Sequence, residues 1–229
     1  MDSPHALRSK GWAGLAFVFL IVASVILSGT PPNANASPTA IAAYLADHHQ
    51  GLIVAGWLTF PTLAFFLWFV VGIAGYLRRM SANDEGLPAY AITSAVYTAV
   101  VAFVASLITT GLVFVPADVL APRTLQFVWA LSALVNGSFL AMGLAIFVFA
   151  CAHSMRRHNS GPNWVVWLGY ASATGDAIMS LGVFYPSGIA FNNVIVSLVL
   201  GFVLFAVWMI GASVTLIAQA SRQLAGAVA

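Results

Sequence analysis

The chain has 229 residues, of which 61% are hydrophobic and only 6% charged, against roughly 25% charged in an ordinary soluble domain. Eight basic and six acidic side chains cannot clothe a water-soluble globule of this size, so the apolar excess must face lipid. A net charge of +2 gives no basis for a nucleic-acid partner, and the single cysteine, Cys151, excludes an internal disulfide and any cysteine-built metal site.

A membrane-crossing helix needs about 20 mainly apolar residues. Six stretches qualify, and they predict one all-α transmembrane domain over residues 1–229. The first span, Gly11–Gly29, follows Arg8 and Lys10 and stops before Pro31 and Pro32. An outer loop, 30–51, carries Ala40–His49, whose Ala, Tyr and Leu residues predict a short helix lying on the membrane. Within that loop, Ala34-Asn35-Ala36 resembles a signal-peptide cleavage site. The preceding apolar run of about 19 residues is longer than the 7–15 of a signal core, which favours a retained helix over cleavage and five spans.

The second span, Leu52–Leu77, holds Pro61, expected to kink or loosen it, and the aromatic cluster Phe65, Phe66, Trp68 and Phe69. Arg78 and Arg79 close it. The third, Ala89–Val115, ends at Pro116; the fourth, Leu125–Ala152, is followed by Arg156 and Arg157. The fifth, Trp164–Phe184, ends near Pro186, and the sixth, Asn193–Gln219, is followed by Arg222. Proline lacks the amide hydrogen that continues a helix, so each outward span carries a stop signal. The result is three out-and-back hairpins. Their likeness fits a threefold internal repeat, but alternating topology alone produces the same punctuation, and the second reading is preferred.

Seven of the eight basic residues fall on one face of this arrangement; only Arg123 lies on the other. The positive-inside rule then puts both termini in the cytoplasm. Trp12, Tyr76, Tyr90 and Trp164 stand near the same ends, where amphipathic rings favour the headgroup region.

Asp176 is the one acidic residue inside a span. A carboxylate in hydrocarbon costs about 2.5–3.5 kcal/mol on insertion scales, so it faces the bundle interior or a wet cavity and is a functional candidate by default. At 1.5 Å per residue it lies about 18 Å from the inner end of its helix and about 12 Å from the outer end. Asn136, Ser106 and Thr62 fall at about 16, 14 and 15 Å from their outer ends. The four predict a polar layer: either a proton- or ligand-binding site, or interhelical hydrogen bonding worth about 0.6 kcal/mol per pair. The small residues Gly169, Ala171, Ser172, Ala173, Thr174 and Gly175 allow close helix approach and bring Asp176 inside. At the outer surface Asp47, His48 and His49 read as solvated interface residues. Adjacent histidines diverge on a helix, so no metal site is assigned.

No histidine falls inside a predicted span, where a transmembrane haem needs its ligands. Ser138 has no intramembrane base to activate it, and neither a His-Glu-x-x-His element nor a phosphate-binding glycine loop is present. The expectation is no enzyme and no cofactor.

The first span, the stretch Ala40–Gln50 (Ala-Ile-Ala-Ala-Tyr-Leu-Ala-Asp-His-His-Gln) and Phe66-Leu67-Trp68-Phe69 resemble a group of uncharacterised six-span bacterial membrane proteins frequent in actinobacteria. The resemblance covers most of the chain in layout and implies a bacterial cytoplasmic membrane, without implying any chemistry. Two functions remain open. One is a small transporter or ligand-binding membrane protein using Asp176 and Asn136. The other is an accessory or scaffolding subunit that contacts other membrane proteins or a second copy. Membrane lipids are partners in either case.

Overall fold

A computed structural model of the chain describes residues 3–80, 86–115, 119–184, 196 and 199–226. Among them there are helices and turns but no strand. In chain order the helices are α1 (Pro4–Ser28), α2 (Pro38–Asp47), α3 (His49–Met80), α4 (Gly86–Phe114), α5 (Pro122–Leu134), α6 (Leu140–Arg157), α7 (Asn163–Ser180) and α8 (Leu204–Gly226). A π-helical turn, Val135–Phe139, joins α5 to α6, and a second, Val199–Val203, leads into α8. Five of these stretches are long and apolar enough to cross a bilayer: Pro4–Ser28, His49–Met80, Gly86–Phe114, Pro122–Arg157 and Val199–Ala225. The chain is therefore an all-α membrane protein.

Local chemistry sets the boundaries. α1 begins seven residues before the predicted span because Ser3 accepts from the Ala6 amide and Pro4 takes the first turn, where its missing N–H costs nothing. Arg8 and Lys10 therefore lie inside the helix rather than before it. Lys10 is buried: its stem covers Gly72 of α3, and its ammonium stands 5.8 Å from the Trp68 ring. α2 is the short helix predicted in the outer loop, and Ser37 caps it by accepting from Ala40 N–H. Pro61 does not interrupt α3. The predicted fourth span contains a π-turn that periodicity alone does not reveal, and the fifth ends as α-helix at Ser180, continuing as a 3-10 turn over Leu181–Val183. Pro116, Pro186 and, of residues 193–198, all but Val196 lie outside the described residues.

The long helices pack as a ring in chain order: α1 against α3, α3 against α4, α4 against α6, α6 against α7, α7 against α8, and α8 back against α1. Glycine contacts fix their antiparallel sense. Gly51 at the start of α3 meets Leu27 at the end of α1, while Gly72 meets Lys10 at the opposite end. Gly211 of α8 meets Trp164 at the start of α7. The bundle thus has a basic end, with Lys10, Arg78, Arg156 and Arg222, and a cap end covered by α2.

Two apolar clusters hold it together. The larger draws on α1, α3, α4, α6, α7 and α8. At its centre Phe17, Phe66, Phe147, Trp208 and Phe205 form a closed circuit of ring contacts with centroids 5.2–6.2 Å apart, within the favourable range for aromatic pairs. The smaller cluster, Ile41, Tyr44, Leu45, Leu52, Leu112, Val113, Leu125 and Trp129, seats α2 on the cap ends of its neighbours.

Side chains tie the cap down. Tyr44 donates from its hydroxyl to the Ser28 carbonyl at 2.8 Å, satisfying one of the carbonyls left open at the end of α1. Gln126 and Trp129 donate to the Ala36 and Asn33 carbonyls at 3.1 and 3.2 Å. Gly29 turns the chain at φ +65° and ψ −163°, a region open essentially to glycine alone, with the His48 ring laid over it.

Candidate functional site

α7 buries one face, Val165, Gly169, Ser172, Asp176 and Met179, whose alternating steps of four and three follow the helical repeat. Asp176 is 0% exposed. Its Oδ2 accepts from the Ser172 hydroxyl one turn back at 3.4 Å. Its Oδ1 has no hydrogen-bond partner among the described residues. An acceptor buried in this way costs about 1–3 kcal/mol when it stays unmade.

Around this carboxylate three segments depart from α geometry together. The π-turn Val135–Phe139 packs on α7, and its Ser138 hydroxyl lies 3.5 Å from the Met179 carbonyl. The π-turn Val199–Val203 also packs on α7. It comes so close that a methyl added at Gly175 would lie 2.6 Å from the Leu200 carbonyl oxygen. α7 itself tightens into the 3-10 turn just beyond Asp176, and that turn meets the first π-turn. A π-turn adds one residue to a helical turn and re-aims the side chains and carbonyls on either side, and such turns occur frequently at functional sites. Here two of them flank one buried acid.

The other predicted residues fall elsewhere. Asn136 sits in the first π-turn but on its exposed side; the buried polar residue of that turn is Ser138. Thr62 is buried and bonds back to the Leu58 carbonyl of its own helix at 2.7 Å. Ser106 pairs with Thr59 at 2.9 Å, bridging α4 to α3, and Thr109 pairs with Ser132 at 2.7 Å, bridging α4 to α5. The single predicted layer is thus divided: hydroxyl bridges join α3, α4 and α5, while Asp176 lies on α7, which packs on α6 and α8, with Ser172 alone bonded to it among the described residues. Sequence reasoning singles out neither π-turn, nor Trp208, whose indole N–H is buried beside Gly169 without a partner among the described residues.

At the cap, His48 is half-buried rather than solvated. Its ring packs tilted against that of Tyr44, centroids 4.8 Å apart, and its Nδ1 lies 3.2 Å from the Tyr44 carbonyl. Asp47 and His49 are exposed. Among the described residues no group of three or more His, Cys, Asp or Glu side chains converges to hold a metal. Burial pushes the Tyr44 phenol up to about 12, so it keeps its proton, and its bond to Ser28, through the neutral range. At the basic end Trp12, Tyr90 and Trp164 stand exposed at the bundle surface. Tyr76, also predicted for the headgroup belt, is instead buried, and its hydroxyl donates to the Ser160 carbonyl.

No protein-family model matches this chain, and no curated protein or solved structure is significantly similar to it.

Proposed function

We propose that this protein is a small six-span transporter or ligand-binding protein of a bacterial cytoplasmic membrane, with both termini in the cytoplasm, and that it binds a proton or a small polar ligand at Asp176. The observation that carries this reading is the wholly buried Asp176 carboxylate, with one oxygen unpartnered among the described residues, flanked by two π-turns. A carboxylate kept only for packing would be expected to saturate both oxygens with neighbouring donors. A binding site needs acceptor capacity left over.

On this reading the span that brings the five long apolar helices to six is α7, the fifth in chain order. Its 18 α-helical residues and three 3-10 residues measure about 33 Å, enough for a hydrocarbon core of about 30 Å. Its small and polar residues lower its hydropathy, and α6 and α8 flank it on both sides. A retained first helix is supported by Leu7, Ala13, Phe17 and Val18, all buried in the main cluster; cleavage after Ala36 would strip that face from the core.

Reconstitution into liposomes tests the reading. Wild-type protein should support movement of protons or of a co-transported solute, followed with an internal pH-sensitive dye, and Asp176→Asn should abolish it while remaining folded. Equal flux from both proteins would discard Asp176 as the site. Absence of any flux, with unchanged ligand-induced thermal shifts in the variant, would leave the scaffolding function in its place.

A further inference from the structure

At the basic end, where α6 turns into α7, Met155, Arg156, Asn159, Gly161, Asn163 and Val166 line a cavity of about 190 Å³. That is far more than the ~10–15 Å³ a single water requires. Its walls are held independently of any occupant. Ser160 N–H bonds to the Met155 carbonyl at 3.0 Å, Asn159 adopts a left-handed φ of 47°, and Tyr76 reaches from α3 to the Ser160 carbonyl.

The chemistry of the lining has one sign. The Arg156 guanidinium rests on the Trp167 ring at 5.1 Å, which holds it at the bundle surface beside the cavity. The side-chain amides of Asn159 and Asn163 supply further N–H donors. α7 starts at Asn163 with Pro162 as its cap residue and no side-chain cap bond, so the positive end of an 18-residue helix opens beside the same space. Ser160, between two lining residues, is only 6% exposed, and its hydroxyl has no partner among the described residues. Between Asp118 and Asp176 the sequence contains no acidic residue, so nothing on this hairpin neutralises the site from within. Trp164 and Trp167 project from the same turn, 56% and 59% exposed, and such rings settle at headgroup depth.

We propose that this cavity binds a phosphate oxyanion, presented as the headgroup of an anionic phospholipid in the leaflet at the basic end. Arg156 and the Asn163 amide donate to the phosphate oxygens, the first turn of α7 faces them, and the tryptophans flank the acyl chains. Loss of one charge-assisted donor should weaken binding roughly tenfold or more.

The test uses full-length protein purified in a neutral detergent and titrated with phosphatidylglycerol or phosphatidylcholine under native mass spectrometry, with a parallel arm adding millimolar inorganic phosphate. Phosphatidylglycerol should be retained in preference to phosphatidylcholine, and Arg156→Gln should lower its apparent affinity about tenfold. Arg123→Gln, the same charge change at the other end of the chain's second hairpin, should match wild type. Asn163→Asp guards against a folding artefact: an acid in the first turn favours the helix but repels a phosphate. Its melting temperature without lipid should equal or exceed wild type while retention is lost. Displacement of the lipid by inorganic phosphate would identify free phosphate as the natural source at the same site. Equal retention of the two lipids, or undiminished retention by Asn163→Asp, would overturn the proposal.

Discussion

Replacing Asp176 by Asn should make the protein more stable. An aspartate near the centre of a membrane helix costs about 2.5–3.5 kcal/mol on insertion scales. In this bundle the described offset is one hydrogen bond from Ser172 at 3.4 Å, and such intramembrane bonds average about 0.6 kcal/mol. About 2–3 kcal/mol of strain therefore stays at the site. An amide has the same shape, keeps the Ser172 bond and carries no charge; recovering half to two-thirds of the strain stabilises by about 1–2 kcal/mol. For a chain of this size that is a rise of about 2–8 °C in melting temperature. Thermal unfolding in detergent, followed by circular dichroism with wild type and variant side by side, measures it. A variant that melts below wild type would refute the reasoning, because it would show the carboxylate acting as a tie between helices. Stability gained together with activity lost is the usual signature of a residue kept for function.

The same packing predicts opposite outcomes for two glycines. Gly175→Ala drives a methyl to 2.6 Å from the Leu200 carbonyl and should cost about 1–3 kcal/mol; Gly111→Ala meets nothing within 4 Å and should gain up to about 1 kcal/mol from helix propensity. Thermal melts of both variants check the pair. Tyr44 gives the cap an alkaline limit: its folded value near 12 lies above the ordinary 10.0, so the unfolded chain loses the proton first and stability falls as pH rises from about 10 to about 12. Tyr44→Phe should lose about 1 kcal/mol at neutral pH with the Ser28 bond and lack that alkaline decline, both read from chemical denaturation across pH. For topology, reporters fused after Arg222 should read cytoplasmic and one within Asn33–Thr39 external; an external carboxyl terminus would contradict six spans.

The helices were legible because burial in lipid leaves a one-dimensional record: a run of apolar residues about as long as the bilayer is thick. Depth could be counted the same way, and Asp176 does lie buried within α7. Azimuth could not. Asn136 and Asp176 come out at similar heights, yet the π-turn at Val135–Phe139 inserts a residue into the helical repeat, putting Asn136 on the exposed side and Ser138 inward. Nothing in Val-Asn-Gly-Ser-Phe announces that insertion, since a π-turn is stabilised by what packs on it. Ser106 likewise meets Thr59 instead of Thr62, a difference of three residues that hydropathy cannot sense. Charge, usually excluded from lipid, assigns Lys10 to the water, but its four-carbon stem covers Gly72 and its ammonium reaches Trp68.

Under the proposed function, the circuit of Phe17, Phe66, Phe147, Trp208 and Phe205 has a mechanical meaning for traffic through the bundle. Trp208 packs beside Gly169, seven residues and about 10 Å nearer the basic end than Asp176. The circuit draws its rings from α1, α3, α6 and α8, so it is fastened to four of the helices at once. A ligand passing from Asp176 toward the basic end along the middle of the bundle would meet these rings, whose one polar handhold is the Trp208 N–H. Passage would require several interlocked rings to turn aside together, like the blades of a shutter, and no single rotamer change opens it.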